Sequence, residues 1–411
     1  MKDIERLAQQ AEADCRKVFA GFEAVENACT GRVLDAFESR RVEARHFAPS
    51  NGYGYGDLGR DTLENLVADI FRAEAAIVRP HIASGTHALA LCLFGLLLPG
   101  DELLSATGAP YDTLSEVIGL GREPGSLDEM GVSYRQVELS AGGGLDIPGI
   151  LASIQDNTRV LFLQRSRGYA LRQALFPRDM EALFRAVKAK RPDIYIMVDN
   201  CYGTFVNEDE PTFYGADAVA GSLIKNLGGG LAPTGGYIAG SERAVSRIAH
   251  RLTAPGIGRE VGSYEDSYRP FYQGLFMAPH TVCQALKVAA LAARMAELSG
   301  IEASPAYDAP RADIIQALVL RDPRKVIAYC RGIQSGSPVD AHLFPEPWDM
   351  PGYQDQVIMA AGAFVQGASI ELSCDAPMRA PYAVYQQGGL TYASGHRALL
   401  RAFAGLKGKI E

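Results

Sequence analysis

The sequence has a single tryptophan, Trp348, no CxxC pair, no run of lysine or arginine, and no apolar stretch of membrane-spanning length. Each absence removes a class of protein. With 40 basic against 48 acidic side chains and a net charge of -8, the chain lacks the electrostatic footprint of a nucleic-acid binder. The longest apolar run, residues 88–98, stops at Pro99-Gly100-Asp101, short of the roughly 20 residues a span needs, and reads as a buried helix. The seven cysteines (Cys15, Cys29, Cys92, Cys201, Cys283, Cys330 and Cys374) are scattered and odd in number, as reduced, mostly buried thiols are. The opening MKDIERLAQQAEADC carries no apolar segment or cleavage site, so no secretory signal and a cytoplasmic location are expected. HExxH and HxH are missing, so no catalytic metal is expected, and His81 and His87 read as packing or hydrogen-bonding residues. The GxSxG elbow of α/β serine hydrolases is also absent.

What is present is a composition 47% hydrophobic over 411 residues, ample for a large core. Residues 1 to about 48 pattern as one or two amphipathic helices, and the Gly/Tyr-rich SNGYGYGDLG that follows reads as a loop. Strands are then expected at Ala75–Val78, Glu102–Ser105, Arg159–Gln164, Ile194–Asp199, Ala218–Leu223 and Tyr237–Ala239. Helices are expected from Thr62, Thr86 and Thr113 and over Pro177–Lys190. Continuous apolar strands alternating with helices predict an α/β fold with a mostly parallel sheet covered on both faces. The character shifts after about residue 265, with an Ala-rich helix over Pro279–Leu298 and mixed elements beyond. The expected division is a helical arm (1–50), a large domain (51–265) and a smaller C-terminal α+β domain (266–411).

Two glycine motifs mislead. Gly54-Tyr55-Gly56-Asp57-Leu58-Gly59 matches GxGxxG, but polar residues stand where a dinucleotide site needs a hydrophobic strand. GGGLAPTGG (228–236) lacks the GK[ST] ending of a phosphate-binding loop. Four other features fall at predicted strand ends, where open α/β sheets bind ligands. Ser84-Gly85-Thr86 opens a helix and is either a phosphate cup or a plain N-cap. Tyr111 is either a flat pocket wall or a surface tyrosine. Asp199 ends the apolar strand IYIMVD, where a buried carboxylate needs a positive partner. Lys225 precedes three glycines, and is either a solvated loop lysine or an amine whose burial lowers its pKa and makes it nucleophilic. An amine, a carboxylate, an aromatic ring and a phosphate cup are together what pyridoxal 5'-phosphate requires.

On the segments GYGYGDLGRDTLE, RPHIASGTHAL, VDNCYGTF, GSLIKNLGGGLAPTGGY, APGIG, GSPVD, PEPWDMPGYQDQVIMAAGAFVQGASIEL and QGGLTY, the chain resembles the fold type I pyridoxal-phosphate enzymes of cysteine and methionine metabolism. It is most similar to their methionine gamma-lyase-related branch, often labelled aluminium-resistance proteins. The resemblance runs from about residue 50 to 393 and implies an aspartate aminotransferase-like fold. It implies that Lys225 binds the cofactor covalently, Asp199 pairs with its ring nitrogen, and Tyr111 stacks on the ring. Ser84, Gly85, Thr86 and Ser222 would hold the phosphate, and Gln164 the pyridoxal hydroxyl. Ile224 departs from the hydroxyl residue usual before the lysine. Tyr55 sits where these lyases send a tyrosine into the neighbouring subunit's site. Their arginine two residues on is Asp57 here, with Arg60 a substitute. An arginine fork suits a substrate carboxylate, and Arg379 is the first candidate, Arg397 the second. The implied activity is γ-elimination from a γ-substituted amino acid with a sulfur- or oxygen-linked leaving group, methionine- or homocysteine-like or oxygen-linked as in canavanine. In it Lys225 moves the Cα proton and Tyr111 or Tyr55 protonates the leaving group. β-Elimination, aminotransfer and a catalytically silent pyridoxal-phosphate module are the alternatives. A homodimer or homotetramer with shared active sites is implied.

Overall fold

The computed structural model describes residues 2–350 and 353–408, so Pro351 and Gly352 of the PEPWDMPG segment lie outside the described residues. Seven strands form the larger sheet: β1 (Ala75–Arg79), β2 (Glu102–Ser105), β3 (Ser133–Gln136), β4 (Thr158–Gln164), β5 (Tyr195–Asp199), β6 (Ala218–Ser222) and β7 (Gly236–Gly240). Their order is β1-β7-β6-β5-β4-β2-β3, parallel from β3 to β6, with β7 antiparallel to both β6 and β1. The six strands expected from periodicity are all present. β3 was not expected, because SYRQ is a polar, half-exposed edge strand whose apolar pattern is too thin to read.

The helices of this half are α1 (Lys2–Ser39), α2 (Leu58–Ile70), α3 (Gly85–Leu96), α4 (Asp112–Ile118), α5 (Ile147–Ser153), α6 (Pro177–Lys190), α7 (Glu242–Leu252) and α8 (Arg269–Leu298). They explain why the central strands are apolar throughout. Leu161, Leu163, Ile196 and Val198 pack against Leu66 of α2, Leu183 of α6 and Val282 of α8. Val160, Phe162 and Met197, on the alternate positions, pack against Leu89 and Leu93 of α3 and Ile248 of α7. Each such side chain contributes about 1.5–3 kcal/mol when fully buried.

Helix α8 begins ten residues before the expected Pro279, which lies inside it and removes one backbone donor. The extra turns bring Gly274 against the backbone of Gly228, whose carbonyl oxygen would lie 2.3 Å from a Cβ at 274. Only a glycine lets the helix support the turn that follows Lys225. By length and composition α8 could cross a membrane, but most of its apolar stretch is buried inside the fold, as in a core helix. Helix α1 is one continuous helix, and it pairs along α8 through Asp14–Arg294, Glu23–Lys287 and Glu26–His280.

The second sheet is antiparallel, in the order β10-β11-β12-β9-β8, from β8 (Glu302–Ser304), β9 (Gln316–Val319), β10 (Val357–Ala360), β11 (Ser373–Pro377) and β12 (Ala383–Gln387). Helices α9 (Pro323–Gly336), α10 (Ser369–Leu372) and α11 (Tyr392–Leu406) accompany it. Val326, Ile333, Leu399 and Phe403 of α9 and α11 share a core with Leu318, Ile358 and Val384 of these strands, and Ile4 and Ala8 of α1 join it. All seven cysteines are free and buried.

Candidate active site

The carboxyl ends of β4, β5 and β6 open on a cavity of about 290 Å³. Asp199, the last residue of β5, is 3% exposed, and its carboxylate accepts the Cys201 backbone N–H at 3.0 Å. Burial pushes this carboxyl above its ordinary value, opposed by that N–H and by Lys225. Lys225 follows the neighbouring strand β6, and its Nζ lies 4.0 Å from the centre of the Tyr202 ring. The expectation of a lowered amine pKa is corrected. Burial does favour the neutral amine, but Cys201, Tyr202, Tyr111 and Asp199 outweigh it, so the ammonium is held above its ordinary value.

Ser84, Gly85 and Thr86 form the N-terminus of α3 and line the same cavity. Ser84 is also the N-cap, accepting the His87 N–H at 3.0 Å, so cap and cavity wall coincide. A Cβ on Gly85 would stand 3.1 Å from the Cys201 sulfur and 3.3 Å from the Ser222 Cβ. The bare backbone therefore brings the positive helix end up to Ser222. Thr86 Oγ1 lies 2.9 Å from Tyr111 Oη, which fixes the ring, and burial pushes the Tyr111 phenol well up. Gln164 lines the cavity, with its amide oxygen accepting the Tyr111 N–H at 2.9 Å and its nitrogen donating to the Ser166 carbonyl at 3.2 Å. The Ser222 hydroxyl accepts the Ile224 N–H at 3.3 Å.

The opposite wall was not foreseen. It consists of Tyr169 after β4, Tyr353, Ile315 and, on β12, Tyr385 and Gln387. Tyr202, three residues past Asp199, was within reach of motif reading; the others depend on how the second sheet docks. Behind them Asp375 of β11 accepts Tyr169 Oη at 3.1 Å and Gln387 Nε2 at 2.9 Å. Burial pushes its carboxyl up to about 7, against the opposing effects of Tyr169, Lys225 and Gln387. A raised folded pKa means the folded state keeps this proton to higher pH than the unfolded chain, so stability is full below about pH 4 and is lost as pH rises through 7. Asp375→Asn removes that loss. Its apparent unfolding midpoint should gain on the parent's between pH 5 and pH 8, by an equivalent of at most about 3 kcal/mol. Thermal unfolding at the two pH values checks this; an unchanged difference would contradict it.

The whole arrangement fits the donor set of pyridoxal phosphate. A buried carboxylate stands beside a lysine on the next strand, and a helix N-terminus is stripped of side chain at its closest approach. A family model described as "Methionine gamma-lyase" matches residues 4–407. The chain belongs to the methionine gamma-lyase family. An uncharacterized Bacillus subtilis protein, YnbB, is 47% identical over 408 residues, covering 99% of this chain and 97% of its own. A carbon-sulfur lyase involved in aluminium resistance from Clostridium novyi superposes with a TM-score of 0.94 at 46% identity, over 98% of this chain and 96% of that one. A Listeria innocua protein, provisionally assigned as a cystathionine beta-lyase involved in aluminium resistance, does so with 0.95 at 48%, over 98% and 99%. The family and the fold make this chain a pyridoxal-phosphate-dependent lyase of fold type I.

In this methionine gamma-lyase family member the arginines named from the resemblance lie outside the lining of their own chain's cavity. Arg60 is buried and donates to the carbonyls of Gly54, Gly262 and Glu260 and to Asp61, so it anchors a loop outside its own chain's cavity. Asp57 is the N-cap of α2, accepting the Arg60 N–H at 2.9 Å and Tyr268 Oη at 2.8 Å. Arg379 pairs with Asp355 at 2.9 Å, half-exposed and outside the cavity lining, though near enough to oppose the burial effect on Asp112 at its edge. Arg397 is exposed on α11, also outside the lining. Tyr55 is 69% exposed on a loop beside Asn51 and Gly54, away from its own chain's cavity. Among the described residues lining the cavity, Lys225 is the only lysine or arginine.

Proposed function

We propose that this lyase catalyses γ-elimination from a γ-substituted amino acid, with Lys225 as proton carrier and a phenol as the acid for the leaving group. The observation that carries the reading is a single cavity holding the Lys225 amine, the buried Asp199 carboxylate and the Tyr111 phenol. Pyridoxal phosphate supplies, when bound, a sink for the negative charge that develops on the substrate's α carbon. Asp199 would pair with its ring nitrogen, and Ser84, Gly85, Thr86 and Ser222 would hold its phosphate. The Lys225 amine would take the Cα proton, give it up within the site, and then accept the second proton from Cβ. Tyr111 Oη, oriented by Thr86, protonates the departing group on Cγ. Arg379 receives the substrate carboxylate once the ion pair with Asp355 opens. The match to the methionine gamma-lyase model supports γ- over β-elimination, while the cystathionine beta-lyase assignment of the Listeria relative favours the second reading, β-elimination. Seven free, buried thiols fit a reducing compartment, the cytoplasm.

The deciding experiment incubates the cofactor-loaded protein with γ- and β-substituted amino acids in turn and identifies the 2-oxo acid. A four-carbon product from a γ-substituted substrate is expected. Pyruvate alone would establish β-elimination, and no 2-oxo acid from any substrate would remove the lyase mechanism proposed here.

The exposed Tyr55 supports a homodimer or homotetramer in which the loop enters the neighbouring site. Mixing Tyr55→Phe protein with Lys225→Ala protein should then restore activity that neither has alone, because one site of each mixed dimer keeps both residues. Absence of restoration after subunit exchange, shown by mass, would exclude a shared site.

A further inference from the structure

An amine that carries protons must keep its place both charged and neutral, so the groups that face Lys225 decide how it works. Among the described residues no carboxylate forms an ion pair with it. The titratable groups around it are Asp199, Cys201 and Tyr202 at the end of β5 and in the turn beyond, Tyr111 before α4, and Asp375 on β11. Asp199 accepts the Cys201 N–H, and Asp375 stands behind Tyr169 and Gln387. The direct contact is with Tyr202, whose ring centre lies 4.0 Å from Nζ. That is well inside the distance of about 6 Å at which the negative face of a ring attracts a cation.

The ring is fixed from behind. Asn200, two residues before it, accepts Arg165 Nη1 on Oδ1 at 2.7 Å and donates from Nδ2 to Glu210 Oε2 at 2.8 Å and to Thr204 Oγ1 at 3.1 Å. Arg165 and Glu210 are fully buried and pair at 3.4 Å. A side chain at Gly203 would collide with the Arg165 guanidinium, so the turn closes on that network. On its other side Tyr202 packs with Ile315, just before β9, and with Tyr385 of β12. Separating a buried ion pair is costly, which leaves this turn one geometry. In that geometry the turn sends the Cys201 N–H to Asp199 and the Tyr202 ring to Lys225.

We infer that Tyr202 is the positioning residue of the Lys225 amine: the face of its ring, and not its hydroxyl, holds the ammonium between proton transfers. A ring face suits this task because it attracts the charge without being able to take the proton, whereas a carboxylate is itself a base. It also attracts the ammonium from many directions, so Nζ can swing between neighbouring carbons without breaking a directed bond. The contact stands on geometry, and its purpose in proton carriage rests on the lyase reading.

The test compares Tyr202→Phe, which keeps the ring face and loses the hydroxyl, with Tyr202→Leu, which loses the face. Its first readout needs no turnover: the rate at which the cofactor-free full chain takes up pyridoxal phosphate, followed by visible absorbance from about pH 6 to about pH 9. The neutral amine adds to the aldehyde carbon and water leaves, so below the titration of Lys225 the rate is proportional to the neutral fraction. Losing the face lowers the pKa of the amine, and Tyr202→Leu should take up the cofactor about 3- to 30-fold faster than the parent at each pH. Tyr202→Phe should stay within about twofold of the parent. Affinity for 4'-deoxypyridoxine 5'-phosphate, which has no aldehyde, should stay within about twofold in both. Tyr202→Met serves if the leucine variant does not fold. With substrate, kcat of the leucine variant should fall at least about tenfold below that of the phenylalanine variant. Equal uptake rates in the two variants, or a change in analogue affinity that matches the change in rate, overturn the inference. The expected uptake ratio without release of 2-oxo acid from any substrate defeats the lyase mechanism and leaves the ring-face contact standing; release without the ratio does the reverse.

Discussion

Lys225→Ala is expected to abolish the visible absorption of the lysine-linked cofactor and to lower kcat/KM by at least about 10³-fold, with far-ultraviolet circular dichroism unchanged. The size follows from losing the covalent anchor and the proton carrier at once, where a positioned acid–base group alone contributes about 10²–10⁴-fold. Geometry makes the substitution clean. Lys225 lies at the end of β6 with its ammonium over Tyr202, and the turn behind it is held by Gly274 of α8 and by Thr281 Oγ1 donating to the Gly229 carbonyl at 3.1 Å. That backing does not involve the lysine side chain, so the fold has no reason to follow its loss. Absorbance spectra with added pyridoxal phosphate and a 2-oxo acid assay check this. Turnover near the parent's rate would refute the assignment of Lys225.

Asp199→Asn should be the next most damaging change, lowering kcat by about 10²–10³-fold while the cofactor still binds through Lys225, the scale of removing one preorganised electrostatic partner. Asparagine has the shape of aspartate and keeps an oxygen for the Cys201 N–H, which the carboxylate accepts at 3.0 Å. What it cannot do is hold a positive charge on a ring nitrogen. Burial already raises the Asp199 carboxyl, and the charged form is favoured by Lys225 and Arg172 as well as by that N–H. The variant should therefore separate binding from turnover: cofactor retained, kcat reduced. Comparing cofactor content with steady-state rates distinguishes this from general damage. A variant with unchanged kcat would mean Asp199 is structural.

The half of the cavity formed by Ser84, Asp199 and Lys225 was legible because each of its parts is a local event. Ser84 caps a helix straight after β1, Asp199 ends an apolar strand, and Lys225 follows another. Strand ends gather at one edge of a parallel sheet whatever the details of packing. The helix start at Arg269 was misread because proline favours a first turn, and α8 accepts Pro279 internally. The raised state of Lys225 was misjudged because burial alone was weighed, without the phenols and carboxylate that surround it. Arg60, the substitute for the arginine missing at Asp57, makes four hydrogen-bonding contacts within the 54–61 and 260–262 segments, which no local pattern reveals.

The sequence by itself determined the class of fold, the cofactor and the residues at the sheet's edge, since two periodicities and a few strand-end residues specify them with little dependence on distant parts of the chain. The tertiary structure alone decided what lines the rest of the cavity. Tyr169, Ile315, Tyr353, Asp375, Tyr385 and Gln387 come from segments up to 218 residues apart and share no motif. They become one wall only when the antiparallel sheet docks against the parallel one, and that docking is a sum of many small packing contacts that no local pattern encodes.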